Sequence, residues 1–339
     1  MSQENMSRKK QPARSTLLRR IILGLYIVAV ALSLVVVVSF IALKLFAPPP
    51  NVPGQVEFPV VTDDPSEENT GVVGTQPPET LTFNRRKGVY TCLLLGVADL
   101  GGSDTIMLGV FDTEGKTASL ISIPRDTVVK YDRTYMKINA VYSHGGVEAV
   151  SQCVKQMLAI PIDYYVSVNT RAFREIVDEI GGVWFEVPPG MDYDDPTQDL
   201  HIHIKPGYQL LNGEDALGVM RVRSAYGTQQ DIGRIATQRA FLAELVKQTI
   251  TLSNVTKVTS LINILNTYVE SDMSLSNMVY FGTQAVGMDL DTALTSAVLS
   301  DNWVNPYIVP DEKDVLKLVN SLGIYEEEVP AEVLKIEHP

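Results

Sequence analysis

The run Val89-Tyr-Thr-Cys-Leu-Leu-Leu-Gly96 decides the fold of this 339-residue chain. It is short, almost entirely apolar and closed by a glycine, which is typical of a strand buried inside a sheet. Two similar runs follow at residues 106–111 and 118–123, and turn residues separate the second run from the third. These three runs predict three successive buried strands.

Helical patterns alternate with further strands beyond this point. Apolar residues at helical spacing predict a helix over residues 146–158, and a second helix over 171–180 is stopped by Gly181-Gly182. The alternation predicts an α/β fold in which helices cover a sheet, and no linker cuts residues 84–325 into two domains. The remaining elements are predicted as strands over 163–168, 183–187 and near 303–309, and helices over 211–217, 235–252, 255–268 and 312–322.

An apolar segment near the N-terminus has the length of a membrane span. Residues 21–43 carry no charge over 23 residues, a length that reaches ~34 Å as a helix. Six basic residues precede it against one acidic residue, so the positive-inside rule predicts a cytoplasmic tail at 1–20 and an external remainder. We therefore expect a retained, single-pass signal anchor in the cell membrane, with a cleaved signal peptide as the alternative.

The part after the anchor is predicted to contain a stalk, one domain and a tail. Residues 44–83 are rich in proline and acidic residues and poor in aromatic residues, which is typical of a flexible extracellular stalk. The folded domain is predicted over residues 84–325, and residues 326–339 are predicted to form a C-terminal tail.

Charge is distributed unevenly along the chain. The whole chain has a formal net charge of −12, but the part after Lys44 holds 21 of the 28 basic and 39 of the 40 acidic residues, a net charge near −18. An external domain this acidic offers no general surface for nucleic acid, so none is expected as a partner. If it handles a polyanion, a local cationic pocket must do so.

Several arginines lie between residues 220 and 239. Arg221 and Arg223 stand two apart, so on an extended strand both guanidinium groups point to one face. Asp231 stands where the N-cap of the next helix is expected, with Arg234 in the first turn and Gln238 one turn later. A cation is slightly disfavoured at a helix N-terminus, so an anion held between arginines and backbone N–H groups is one explanation. Solvated arginines paired with nearby acids are the other.

Two strand ends carry further charged candidates. Asp104 follows a glycine-rich turn that contains Asp99, and strand-end loops often carry ligand sites in α/β sheets. These two aspartates could hold Mg²⁺, although turn chemistry also explains them. Arg125 follows a proline at the end of the third strand, where pairing with a neighbouring acid is the alternative to binding an anion. Lys137 either lines the same pocket or simply precedes the next helix.

The histidines and cysteines give weaker signals. His201 and His203 share one face of a short strand, but no further Cys or His cluster completes a zinc site, so an ordinary strand face is favoured. Cys92 and Cys153 are too few for a disulfide framework. Buried free thiols are predicted, with a single bridge as the alternative.

Eight motifs, taken together and in order, resemble the LytR–CpsA–Psr family of bacterial cell-envelope enzymes. No single motif is specific, but their order is, and they span about residues 88–250. In chain order the motifs are Ser103-Asp104-Thr105, Ser122-Ile-Pro-Arg-Asp-Thr127, Lys137-Ile-Asn-Ala140 with Gly145-Gly146, Asp163-Tyr-Tyr165, Ile180-Gly-Gly-Val183, Leu211-Asn-Gly213 with Ala216-Leu217, Arg221-Val-Arg223, and Asp231-Ile-Gly-Arg234.

The resemblance implies a three-layer α/β/α sandwich outside the membrane of a Gram-positive-type envelope. It implies transfer of a teichoic-acid-type or capsule-type glycopolymer from a polyprenyl-pyrophosphate carrier to peptidoglycan, with formation of a phosphodiester bond and with Mg²⁺ as cofactor. By resemblance, the residues that act on the pyrophosphate are Arg125, Arg221, Arg223, Arg234, Gln238 and Lys137, with Asp231 as a helix cap and Asp104 as a Mg²⁺ ligand.

The chain departs from the family pattern at one place. The loop before Ser103 is short and Asp99 stands one position later than the pattern has it, so the role of Asp99 as a metal ligand stays open. Two other functions also stay open. One is an envelope-linked regulator or attenuator, against which the acidic external domain argues. The other is a protein that binds polyprenyl-pyrophosphate lipids without transfer, or hydrolyses them.

Overall fold

A computed structural model describes residues 47–61, 79–97, 101–195, 200–222, 230–249, 258–285, 288–299 and 302–339. The chain divides into two compact units, Met1–Pro48 and Pro49–Pro339, and all elements below belong to the second. The predicted membrane span at 21–43 lies outside the described residues. None of the helices in the described ranges is long and apolar enough to cross a bilayer.

The described residues contain sixteen strands and eight α-helices. The strands are β1 Gln55–Pro59, β2 Thr80–Asn84, β3 Val89–Val97, β4 Ser103–Asp112, β5 Thr117–Ile123, β6 Val128–Tyr131, β7 Thr134–Lys137, β8 Tyr164–Asn169, β9 Val183–Val187, β10 Asp192–Asp195, β11 Leu200–His203, β12 Gly207–Leu211, β13 Val269–Ser271, β14 Leu294–Val298, β15 Asn302–Val304 and β16 Tyr307–Val309. The helices are α1 Ile138–Leu158, α2 Thr170–Ile180, α3 Gly213–Arg221, α4 Gln230–Thr249, α5 Val258–Tyr268, α6 Leu275–Ala285, α7 Leu290–Ala293 and α8 Glu312–Ser321.

A six-stranded mixed sheet with the order β13-β8-β3-β4-β5-β14 forms the centre of the unit. Strands β3, β4 and β5 are antiparallel neighbours, whereas β8 runs parallel to β3 and β14 runs parallel to β5. The three apolar runs predicted as strands are therefore confirmed. Strand β4 begins earlier than predicted, at Ser103, so the Ser-Asp-Thr motif is the first part of a strand and not a loop.

Helices pack on both faces of this sheet, so the predicted mixed α/β fold is confirmed. Leu93 and Leu108 point to one face and share a hydrophobic core with Val150 and Val154 of α1. On the other face Phe281 of α6 packs against the rings of sheet residues, with 5.0 Å between its centroid and that of Tyr90 and 6.1 Å to that of Phe111. The alternation of side chains along each strand thus gives the sheet two apolar faces.

A second hydrophobic core lies among α2, α3, α4 and the β9–β12 ladder. Its aromatic centre is Phe241 of α4, which contacts Phe185 of β9 with 5.2 Å between ring centroids and Phe173 of α2 with 5.8 Å. Phe241 is fully buried. The two ends of the arginine-rich segment lie on α3 and α4. This core packs both helices against β9.

Two segments predicted as a stalk and a tail differ from the structure. Strands β1 and β2 form an antiparallel ladder whose Phe58 and Phe83 are buried in the sheet core. At the other end, Val329, Val333 and Leu334 are buried in the same core, around a short 3-10 helix at Ala331–Val333. These few buried apolar residues stand among prolines and acidic residues, so no clear periodic pattern marks them in the sequence. Residues 62–78, the middle of the predicted stalk, lie outside the described residues.

The two cysteines are free thiols in the structure, as predicted. Burial raises the pKa of Cys153 to about 11. Burial likewise raises the pKa of Cys92 to about 12, with the charge of Asp272 as the second cause. Both thiols are therefore protonated at neutral pH, and Cys153 serves as a small side chain of the sheet core.

Candidate functional site

The first part of the site is an ion pair across the ends of β4 and β5. Ile106 pairs with Ile123 in the antiparallel register, so two residues further along Asp104 lies opposite Arg125 on the same face. Arg125 Nη1 donates to Asp104 Oδ1 at 3.0 Å. The Arg125 side chain is 20% exposed and the Asp104 side chain 45% exposed. The guanidinium is thus held by a strand end while the carboxylate remains open to solvent.

Two further charges extend this ion pair. Asp126 Oδ2 lies 3.9 Å from Arg125 Nε, and Asp126 Oδ1 lies 2.9 Å from Lys137 Nζ. Lys137 is the last residue of β7 and precedes α1. Backbone hydrogen bonds from Ile138 to Thr127 (2.8 Å) and from Asn139 to Arg125 (3.1 Å) fix the start of α1 beside the strand end. Lys137 therefore lines the same site as Arg125, one of the two predicted alternatives.

Helix α1 leaves the site through a break at its glycine pair. Gly145 and Gly146 have non-helical backbone angles, and Gly146 has a φ of 67°. A Cβ atom at Gly145 would collide with the Tyr131 hydroxyl, so the close approach requires glycine there. The helix predicted over 146–158 is the part after this break.

The β15–β16 hairpin lies against the same strand end. Ile308 donates its backbone N–H to the Asp126 carbonyl at 2.9 Å. Trp303 of β15 places its ring centroid 6.0 Å from Lys137 Nζ, and its side chain is exposed. An exposed indole beside a lysine of the site can contact a bound molecule.

The second part of the site lies at the junction of α3 and α4. Asn212 caps α3 by accepting from the Asp215 backbone N–H at 2.8 Å, and Arg221 is the last residue of that helix. Arg221 therefore does not lie on an extended strand, the arrangement that would put it on one face with Arg223. The apolar residues of the segment, Val219 and Val222, are buried in the second core, and that packing selects the helix.

Helix α4 supplies two buried polar side chains. Arg234 is 3% exposed and Gln238 is 4% exposed, and they stand one turn apart on one face. Gln238 Nε2 donates to the Met220 carbonyl at 3.0 Å, which places this face beside the end of α3. Because α4 begins at Gln230, Asp231 is the second residue of the helix and not the residue before it.

The predicted site residues thus fall into two groups on packed elements. Asp104, Arg125 and Lys137 meet through direct ion pairs and Asp126, and the second group gathers at the α3–α4 junction. Helix α4 packs against both α3 and β5. Arg223, Asp99 and the side chain of Asp231 lie outside the described residues.

One site residue was missed from the sequence, and another was foreseen only as a salt-bridge partner of Arg125. Asp126 bridges Arg125 and Lys137; its adjacency to Arg125 was the available signal. Trp303 is 166 positions from Lys137 in the chain, and no local pattern connects them.

One carboxylate of the first group is suited to Mg²⁺. Mg²⁺ is bound in proteins by one or two carboxylates, with water and substrate phosphates completing the shell. The Asp104 side chain is 45% exposed, whereas the two Asp126 oxygens contact Arg125 and Lys137. Asp104 is therefore the hard oxygen donor of this group that fits the ion.

Comparisons with known proteins identify the family to which the chain is similar. The LytR_cpsA_psr family matches residues 60–322. The chain is 30% identical over 259 residues to the polyisoprenyl-teichoic acid–peptidoglycan teichoic acid transferase TagV of Bacillus subtilis (strain 168), covering 70% of this chain and 64% of TagV. It is 29% identical over 199 residues to TagU of the same organism, which carries the same transferase name, covering 57% of this chain and 63% of TagU. The chain therefore spans less than two thirds of the length of these relatives.

Solved structures show the same fold. A crystal structure of B. subtilis TagV superposes with a TM-score of 0.61 at 27% identity, covering 70% of this chain and 96% of that one. A structure of TagT bound to LIIa-WTA superposes with a TM-score of 0.58 at 25% identity, covering 70% and 90%.

Proposed function

Because the chain belongs to the LytR_cpsA_psr family, we propose that it transfers a teichoic-acid-type glycopolymer from a polyprenyl-pyrophosphate carrier to peptidoglycan. Its relatives TagV and TagU carry that transferase name. The related TagT is described as bound to LIIa-WTA. The product is a phosphodiester between the glycopolymer and the acceptor.

One observation carries the proposal. Arg125 is held at the end of β5 by Asp104 at 3.0 Å and flanked by Asp126 and Lys137. In phosphoryl transfer, a protein contributes alignment and charge neutralisation more than covalent chemistry. A guanidinium fixed on a strand end binds two phosphate oxygens in a set orientation, which an ammonium does not. Arg125 and Lys137 thus stand together at one strand end, each held by a carboxylate.

The α3–α4 junction completes the pocket. We assign Arg221 and Arg223 to the pyrophosphate as well, and Arg234 and Gln238 to the face of α4 turned towards it. Arg234 and Gln238 are buried and are the fifth and ninth residues of α4. Arg234 therefore follows directly after the first turn, whose free backbone N–H groups favour an anion. The negative charge of Asp231 in the first turn is favoured by the positive end of the helix dipole.

In this proposal Asp104 holds Mg²⁺ together with the substrate phosphates, and Asp99 is a second candidate ligand. When bound, Mg²⁺ neutralises phosphate charge and helps to align the oxygens of the pyrophosphate. Arg125 then orients the phosphate next to the glycan, and Lys137 offsets charge beside it. Asp126 keeps both cations in place through its two carboxylate oxygens.

The reaction requires one bond to form and one to break. An acceptor hydroxyl of peptidoglycan attacks the phosphorus next to the glycan, and the bond from that phosphorus to the bridging oxygen breaks. Polyprenyl phosphate leaves, and the hydroxyl proton is released to water. The arginines stabilise the charge that develops on the leaving bridging oxygen.

The chain is also proposed to act at the outer face of the cell membrane. Residues 21–43 have the length and composition of a membrane anchor, and the basic residues precede it. External protease added to intact cells should remove the folded unit and spare the first 20 residues. Protection of the folded unit would refute this orientation.

A reconstituted reaction tests the function. The full chain in detergent is mixed with Mg²⁺, peptidoglycan and a carrier whose teichoic acid is labelled. Label in the peptidoglycan fraction is expected together with polyprenyl phosphate, and Arg125→Ala should lower kcat/KM by roughly 10²–10³-fold. Arg171→Ala is the matched control, because the Arg171 side chain is 63% exposed on α2. Release of polyprenyl phosphate without labelled peptidoglycan would identify a hydrolase and refute transfer.

A further inference from the structure

We propose that the outer face of the β10–β11 hairpin is a binding site for a divalent first-row transition metal ion, with Zn²⁺ as the reference ion. The ligands are Asp194, His201 and His203, and Asp192 orients one of the histidines. The site is separate from the ion pair at the strand ends, and it does not depend on the proposed transferase activity.

The strand register builds the cluster. Asp192 pairs with His203 and Asp194 pairs with His201 across the antiparallel ladder. Because side chains alternate along a strand, these four residues share one face of the hairpin. The opposite face carries Ile202, which is buried in the second core. The sequence shows the two histidines, but only the ladder brings two carboxylates beside them.

The distances suit a shared ion. One nitrogen from each histidine and one oxygen of Asp194 all lie within 4.8 Å of one another. Ligand atoms around a tetrahedral zinc ion lie about 3.3 Å apart, given bonds of about 2.0–2.1 Å. Asp194 Oδ1 lies 3.5 Å from His203 Nε2, and it lies 2.5 Å from His201 Nδ1 in a hydrogen bond that a bound ion would replace. The side chains are more than half exposed, so small rotations can close the remaining distance.

Asp192 selects the nitrogen that His203 offers. His203 Nδ1 lies 2.5 Å from Asp192 Oδ1. A proton on Nδ1 is therefore shared with this carboxylate, and Nε2 is left to face Asp194. Metal-binding histidines are commonly oriented by a carboxylate in this way.

The donor types determine the class of ion. Imidazole nitrogen with carboxylate oxygen suits zinc, copper, nickel or iron, whereas Mg²⁺ and Ca²⁺ prefer oxygen alone. In the part of the chain that the structure describes, no other three His, Cys, Asp or Glu residues are placed this closely. Three protein ligands leave a fourth position for water or for a substrate oxygen.

An ion here would join β10 to β11 on the face opposite the one that packs on α3. Ile204 donates its backbone N–H to the Met191 carbonyl at 2.8 Å, which closes the base of the hairpin. A Cβ atom added at Gly218 would lie 3.3 Å from Ile202, so the hairpin packs closely on α3 three residues before Arg221. The metal would thus act on the hairpin alone, and α3 is reached through the packing of Ile202 on Gly218.

Calorimetric titration of ZnCl₂ into the full chain tests the proposal. The chain is purified without a histidine tag in detergent, at neutral pH and with Mg²⁺ in millimolar excess. We expect one Zn²⁺ per chain with micromolar affinity, weakened at least tenfold in His201→Asn and in His203→Asn. Asp192→Asn should weaken binding about tenfold through the orientation of His203. His338→Asn is the control, because His338 is exposed at the C-terminus, away from the hairpin sequence.

Hydrogen exchange of the hairpin gives a second readout. Zn²⁺ should slow amide exchange in β10 and β11 of the wild-type chain and leave it unchanged in His203→Asn. Far-UV circular dichroism of the metal-free variants checks that the fold is intact. Absence of saturable binding below millimolar Zn²⁺ would overturn the proposal. So would saturable binding that His201→Asn and His203→Asn leave unchanged, which would place the ion elsewhere.

Discussion

Replacing Arg85 should lower the free energy of unfolding of the domain more than replacing a surface arginine does. The Arg85 side chain is 2% exposed and its partner Asp163 is 3% exposed. Their contact is bidentate, with 2.6 Å from Nη1 to Oδ1 and 2.7 Å from Nη2 to Oδ2. Arg85 Nη2 also donates to the Val89 carbonyl at 3.0 Å. The pair joins the residue after β2 to the residue before β8.

The size of the effect follows from what remains after the change. Arg85→Met leaves the Asp163 carboxylate buried without its cation, and breaking a buried pair in this way typically costs about 3–5 kcal/mol. The Thr91 backbone N–H still donates to Asp163 Oδ2 at 2.8 Å, so the lower end of that range is expected. A loss of about 3 kcal/mol lowers Tm by roughly 6–12 °C for a domain of this size.

Thermal and urea unfolding of the unit Pro49–Pro339, followed by circular dichroism, measure the effect. Arg86→Met is the neighbouring control, because Arg86 is 50% exposed and lies 3.6 Å from its acidic partner; such a pair contributes at most about 1 kcal/mol. The double variant Arg85→Met/Asp163→Asn should recover part of the loss, since no buried charge remains unpaired. A Tm for Arg85→Met within about 1 °C of the wild type would refute the reasoning.

Three further predictions concern the site, a thiol and the hairpin. Trp303→Ala should raise KM for the lipid-linked substrate roughly two- to fivefold. The variant loses the indole that holds Lys137 beside the proposed substrate phosphates, and a cation–π contact at an exposed site is worth about 0.5–1 kcal/mol. An unchanged KM would show that this indole takes no part in binding the substrate. Burial raises the pKa of Cys153 to about 11, so this thiol should resist iodoacetamide at neutral pH in the folded chain and react in urea. Mass spectrometry measures the labelling, and equal labelling rates in the two states would contradict the burial of Cys153. The hydrogen bond to Asp192 raises the pKa of His203 above its ordinary value of 6.5. Protonation of His203 therefore stabilises the metal-free hairpin. This stabilisation is fully present below pH 6.5 and is lost as the pH rises through the raised pKa. Amide exchange in β10 and β11 should therefore be more protected below pH 6.5 than above the raised pKa, and His203→Asn should remove the difference; a difference that survives in this variant would refute the assignment.

The sequence predicted the central strands well because their signal is local. Val89–Val97 is a buried run between turn residues, and neither helix nor loop competes with that pattern. Val183–Val187 was predicted with its observed bounds, since Gly181-Gly182 marks where the preceding helix ends. The candidate cations Arg125 and Lys137 were also identified, because each adjoins the end of a strand.

The errors share one cause: where the local sequence pattern is weak, tertiary packing decides the structure. The two-residue spacing of Arg221 and Arg223 favoured an extended strand. The burial of Val219 and Val222 in the second core makes the segment helical instead. Phe58 and Phe83 were absorbed into a predicted stalk, because two aromatic residues in a proline-rich segment carry little periodic signal. Each of them is buried only through contacts with residues far along the chain, and no window of sequence contains those contacts.

The two groups of site residues belong to two different hydrophobic cores, and this division has a consequence for the chemistry. Ile106 and Ile123, which set the register of Asp104 and Arg125, lie in the sheet core. The α3–α4 junction is held instead by the second core, around Phe241. A truncation such as Phe241→Ala should therefore displace Arg234 and Gln238 while leaving the Asp104–Arg125 pair in register. If one pyrophosphate is held by both groups, their separation sets its orientation, and packing defects in either core should lower kcat through misalignment. Helix α4 packs directly on β5, so this contact links the two groups.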